Sequence, residues 1–98
     1  MGVYSFCASE TEGKKQNYLA YLYDRKPIYW LRKEKSKIYI VAKTEKFTMA
    51  VGVVPTNVDA IIRPLMKQEQ FIFINSTKIS RTAGANYTLS VNIGWYDQ

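Results

Sequence analysis

The sequence predicts a mainly β domain with one short helix, an α+β chain folded as a small curved sheet or a closed barrel. Three observations lead there. Side-chain polarity alternates with a period of two over most of the chain, as half-buried strands require. One stretch only, residues 55–68, changes to helical spacing. The chain has 98 residues, which suits a single domain spanning residues 1–98, with one hydrophobic core and little room for a second.

Taken in order, "VYSFCA" (3–8) reads as a first strand, and "SETEGKKQN" (9–17) as a polar loop in which Gly13 can take a positive backbone angle. "YLAYLYDR" (18–25) alternates Tyr18, Ala20 and Leu22 against Leu19, Tyr21 and Tyr23, and reads as a strand. After the break at "KP", "IYWLR" (28–32) and "KIYIVAK" (37–43) follow, separated by the turn "KEKS". In the second of these, Ile38, Ile40 and Ala42 suit a core, while Lys37, Tyr39, Val41 and Lys43 share the other face. "FTMAVGVV" (47–54) places Phe47, Met49, Val51 and Val53 on one face.

In "PTNVDAIIRPLMKQ", Val58, Ile61, Ile62, Leu65 and Met66 fall on one helical stripe. Thr56 followed by Asp59 resembles a capping box, and Asp59 with Arg63 is an i, i+4 ion pair. Pro64 removes one helical hydrogen bond and disfavours helix at Arg63, so a short or kinked helix is expected. "FIFINST" (71–77) and "YTLSVNIGWY" (87–96) read as closing strands, with "KISRTAGAN" as a loop carrying Lys78 and Arg81.

If "IYWLR" and "KIYIVAK" are two limbs of one bent strand, the order from residue 17 is three strands, a helix and two strands. That order resembles the OB-fold, a five-stranded Greek-key barrel with a helix between its third and fourth strands. The likeness is of architecture alone and leaves residues 3–8 as an extra N-terminal strand. As separate hairpin strands, the same segments give a different small barrel or a curved sheet with one packed helix.

Catalytic chemistry has little to work with. The chain has no histidine and one cysteine, Cys7, which removes the usual general base, an internal disulfide and the common zinc sites. Carboxylates are scattered, and no glycine-rich phosphate loop occurs. No cofactor, no metal and no enzymatic activity are expected, although a histidine-free ribonuclease working through Lys, Arg and Tyr stays open. The opening residues lack a charged leader with an apolar run, and no apolar run is long enough to span a membrane, so the expectation is a cytoplasmic protein without membrane contact.

Charge is the informative signal. Residues 14–46 carry ten Lys or Arg against three acids, whereas the rest of the chain is nearly balanced. Tyrosines and Trp30 are interleaved with these cations. A single nucleic-acid strand offers a phosphate charge and a bare aromatic face per nucleotide, so cations beside exposed rings suit it. The expected function is therefore non-catalytic binding of single-stranded DNA or RNA through a basic-aromatic strand surface. Its residues would be Tyr29, Arg32, Lys33, Lys35, Lys37, Tyr39 and Lys43, with Lys78 and Arg81 on a second loop. Tyr39 is the first choice for an exposed ring and Tyr29 the second, while Trp30, sharing a face with Ile28, suits burial at least as well as stacking. Trp95, aligned with Leu89, Val91 and Ile93, suits the core.

The plainer explanation is that aromatic pairs stabilise strands and lysines keep them soluble. A second functional reading is a viral or plasmid-type accessory module that inhibits or adapts an acidic protein partner. A third is a homo-oligomer formed through an exposed edge strand, with the N-terminal strand as the candidate.

Overall fold

A computed structural model describes residues 2–68 and 71–96. The chain runs β1 (Gly2–Cys7), α1 (Lys14–Leu22), β2 (Ile28–Lys33), β3 (Ile38–Lys43), β4 (Thr48–Val53), α2 (Thr56–Lys67), β5 (Ile72–Arg81) and β6 (Tyr87–Trp95). The class is mainly β with two helices. The strands form two antiparallel three-stranded sheets, ordered β1-β6-β5 and β2-β3-β4. They do not close into a barrel, so the OB-like arrangement gives way to a pair of sheets.

The element that departs furthest from expectation is α1. "YLAYLYDR" alternates, but it also places Leu19 and Leu22 one helical turn apart, and both are fully buried. The helix begins earlier, at Lys14, inside the segment expected to be loop. Lys, Gln, Leu and Ala are strong helix formers, and Gly13, at φ 69°, supplies the abrupt entry. Gln16 fixes the helix in place: its amide nitrogen donates to the carbonyls of Thr11 (2.8 Å) and Tyr87 (3.0 Å), and its oxygen accepts from the Tyr87 amide (2.7 Å).

α2 follows the expected stripe in part: Val58 and Ile62 are buried, Leu65 and Met66 are half-buried, and Ile61 is exposed. Pro55, not Thr56, occupies the cap position, and no side chain caps it. The helix passes through Pro64, and the Gln68 amide still donates to the Pro64 carbonyl at 3.1 Å. Arg63 grips Asp59 through two bonds of 2.7 and 3.0 Å and reaches the Glu34 carbonyl at 2.7 Å, fastening α2 to the β2–β3 turn.

β5 is longer than expected and runs to Arg81, because Thr77 and Ile79 continue the pairing with Val91 and Leu89 on β6. Lys78 and Arg81 therefore stand on a strand and not on a loop; the turn is confined to residues 82–86, with Ala85 at φ 63°. β1 is no leftover strand either, since Gly2 to Cys7 pair residue by residue with Trp95 to Ser90.

The chain traces the order β-α-β-β twice. In each half the last two strands form a hairpin, and the first strand of each half joins the sheet of the other: β1 pairs with β6, and β4 with β3. Equivalent contacts recur in both halves. The Ala8 amide donates to Leu89 at 2.8 Å as the Val54 amide does to Ile38 at 2.9 Å. Lys33 opposes Ile38 as Ile79 opposes Leu89. The core triplets Ile38, Ile40, Ala42 and Leu89, Val91, Ile93 then occupy matching places, all buried.

The exchanged strands meet where Ser9 and Val53 share two backbone bonds of 2.8 and 2.9 Å. The symmetric counterpart would pair Cys7 with Pro55, which has no N–H to give. On the opposite side, β2 and β5 stand close without pairing.

Candidate nucleic-acid interface

The β2–β3 hairpin decides which side chains face solvent. Its turn is closed by the Glu34 amide donating to the Lys37 carbonyl at 2.9 Å, which sets Lys33 opposite Ile38. From that register Tyr29 pairs with Ala42 and Leu31 with Ile40, on the core side of the sheet. Ile28 pairs with Lys43, Trp30 with Val41 and Arg32 with Tyr39, on the outer side. Turn geometry has thus chosen the face of every residue in the strand.

The outer face is uncovered at its rim and closed at its centre. Ile28 is 66% and Trp30 37% exposed, while Val41 between the larger side chains is only 1% exposed. Arg32 and Lys43 are exposed and Tyr39 is half-buried. The Arg32 guanidinium lies 5.0 Å from the centre of the Tyr39 ring and bonds Glu34 at 2.8 Å. Lys37 bonds Glu10 at 2.7 Å. That hydrogen bond holds the Glu10 carboxyl below and the Lys37 ammonium above their ordinary ranges, and Lys37 gains further from the nearby Tyr39.

Of the residues expected at the site, Arg32, Lys37, Tyr39 and Lys43 come together on or beside this face. Lys33 and Lys35 are exposed at the adjoining turn, Lys33 at the end of the core-side row. Tyr29 does not join them: it packs against the core, and burial pushes its phenol up, with the nearby Thr77 hydroxyl opposing that shift. Lys78 and Arg81 lie on the other sheet, on β5. Trp30, assigned to burial as readily as to stacking, takes the exposed place expected for Tyr29. Trp95 packs against the core and lies so close to Gly2 that a Cβ there would stand 2.2 Å from its ring.

At the Ile28–Lys43 end the face runs into a cavity of about 460 Å³. Four cations line it, Arg25, Lys26, Lys43 and Lys46, against one carboxylate, Glu45. Tyr21, Pro27 and Ile28 form its apolar wall. Arg25 lies 3.8 Å over the Tyr21 ring and hydrogen-bonds the Tyr21 carbonyl, and Phe47 packs on that ring with centres 5.0 Å apart. Arg25, Lys26 and Lys46 belong to the basic third of the sequence; the first two lead into β2, and the Ile28–Lys43 pairing brings the β3–β4 turn with Lys46 beside them.

The internal duplication offers a comparison within the molecule. The places of Trp30 and Val41 are taken in the other sheet by Ser76 and Asn92, and those of Arg32 and Tyr39 by Lys78 and Ser90. That second outer face is bound by side-chain amides and hydroxyls: Asn75 donates to Asn92 at 2.9 Å, and Asn92 to Ser5 at 2.7 Å. The same backbone position therefore tolerates small polar residues. The rings of Trp30 and Tyr39 are not a requirement of the fold, whereas the Arg32 place keeps a cation, Lys78.

Among the described residues there is no cluster of His, Cys, Asp and Glu that could hold a metal ion, and no helix long and apolar enough to cross a membrane. Comparison of the chain with protein-family models, with curated proteins and with solved structures finds no match.

Proposed function

We propose that the protein is a small non-catalytic nucleic-acid-binding protein that takes single strands on the outer face of the β2-β3-β4 sheet. The observation that carries the proposal is the grouping of Trp30 and Tyr39 with Arg32, Lys37 and Lys43 on or beside one face, where the places of the two rings are taken in the other sheet by Ser76 and Ser90. Trp30, exposed, and Tyr39, half-buried beneath Arg32, would each take one base, and stacking of a base contributes about 1–3 kcal/mol. The cations beside them neutralise phosphates and release counterions, so affinity falls as salt rises.

Titration of a labelled oligonucleotide at low and moderate salt tests this. Binding weakened by salt and by Trp30→Ala and Tyr39→Ala is expected; absence of binding at low salt, or indifference to both substitutions, rejects the reading. One observation favours the alternative of an acidic protein partner: Arg32 and Lys37 already hold carboxylates, those of Glu34 and Glu10. A purified sample whose bound material is removed by nuclease supports nucleic acid, and one that retains a stoichiometric acidic protein supports the alternative.

A further inference from the structure

The cationic cavity at the end of the face is a separate feature with its own chemistry. It gathers side chains from two stretches of the chain, Tyr21 to Ile28 between the end of α1 and the start of β2, and Lys43 to Lys46 at the β3–β4 turn. Its four cations exceed its single carboxylate by three charges. A phosphodiester inside a strand carries one negative charge, whereas a phosphomonoester at neutral pH carries about 1.5 to 2. The charge suits a strand end better than a link within it. Size agrees, because about 460 Å³ lies in the range of pockets for small organic ligands, roughly 300–1,000 Å³.

The walls sort the parts of such a ligand. Arg25 is held against Tyr21 by stacking and by its bond to the Tyr21 carbonyl, so its remaining donors are pre-oriented. Lys26, Lys43 and Lys46 are exposed and, among the described residues, make no ion pair. Pro27 and Ile28 give an apolar shelf that a sugar or base edge can cover, and Ile28 sits across from Lys43, at the start of the outer face.

We propose that this cavity binds the phosphorylated terminal nucleotide of a nucleic-acid strand, the phosphomonoester on Arg25, Lys26, Lys43 and Lys46, with the rest of the strand leading across Trp30 to Tyr39. The proposal rests on the nucleic-acid reading and adds to it a preference for strand ends. It also fixes a polarity, since only one end of the face opens into the cavity.

The test compares three oligothymidines of one length, about ten nucleotides, labelled internally: one with a 5′-phosphate, one with a 3′-phosphate and one with hydroxyls at both ends. Anisotropy titrations use the intact protein and the variant Lys26→Gln/Lys46→Gln, whose altered side chains are both exposed. One phosphorylated strand is expected to bind about tenfold tighter than the hydroxyl-ended one, the size of one good charge-assisted contact. The double variant is expected to lose that preference. Preference for the 5′ or the 3′ form supports the proposal and gives the direction of the strand. Equal affinities for all three strands, or a preference that survives in the variant, overturn it while leaving the face intact. Failure of the hydroxyl-ended strand to bind counts against the face, and with it against both readings.

Discussion

Tyr29 and Trp30 are neighbours in the chain with opposite surroundings, and two substitutions separate their roles. Trp30→Ala is expected to weaken single-strand binding by about 1–3 kcal/mol, read from titrations, with the fold unchanged by circular dichroism. Tyr29→Ala removes a ring packed against the core. It is expected to lower stability by about 1–3 kcal/mol in denaturant unfolding and to leave binding alone. The Lys37–Glu10 pair gives a pH signature. Its carboxyl is shifted down, so that part of the pair's contribution holds at neutral pH and is lost as pH falls through the lowered Glu10 value. Its ammonium is shifted up, so the other part holds at neutral pH and is lost as pH rises through the raised Lys37 value. Glu10→Gln is expected to return Lys37 toward its ordinary value, measured by NMR titration, and to tighten oligonucleotide binding by freeing a cation.

Among the elements, the helices carry the sharpest consequences. α1 closes the core with Leu19 and Leu22, so Leu19→Ala is expected to cost about 2–5 kcal/mol in urea unfolding. A strand over residues 18–25 would have put Leu19 and Leu22 on opposite faces; the helix brings them to one. α2 tolerates Pro64 at a position exposed to solvent. Pro64→Ala restores a backbone donor and a residue of high helix propensity, and is expected to raise stability by about 1–3 kcal/mol, seen as a higher urea midpoint. The stripe Val58–Ile62 was legible because a polar half separates its members at helical intervals. α1 was not, since Tyr and Leu in "YLAYLYDR" satisfy a period of two as well as a turn of helix.

At the scale of the molecule, each β-α-β-β half lends its first strand to the sheet of the other, so neither half holds a complete sheet. Fragments 1–46 and 47–98 are expected to give unstructured NMR spectra alone and a dispersed, folded spectrum when mixed. Folding of either fragment by itself would contradict the exchange. The two outer faces of this doubled frame differ at matching places, Trp30 and Tyr39 on one against Ser76 and Ser90 on the other, while the second face keeps Lys78 and gathers Phe71, Phe73 and Tyr96 at its Gly94 end.

Local pattern was enough to determine the β-rich class, the helix over Val58–Ile62, the core rows of β3 and β6, and the concentration of charge between residues 14 and 46. Alternation and composition are properties of neighbouring residues, so they can be read without knowing what packs where. Tertiary structure alone decided that residues 14–22 are helical, that Trp30 and not Tyr29 stands in the basic face, and that Lys78 and Arg81 belong to the other sheet. Each of these depends on strand register or on burial against a distant segment. A shift of one residue in a hairpin, or a helical turn in place of a pleat, exchanges inside for outside.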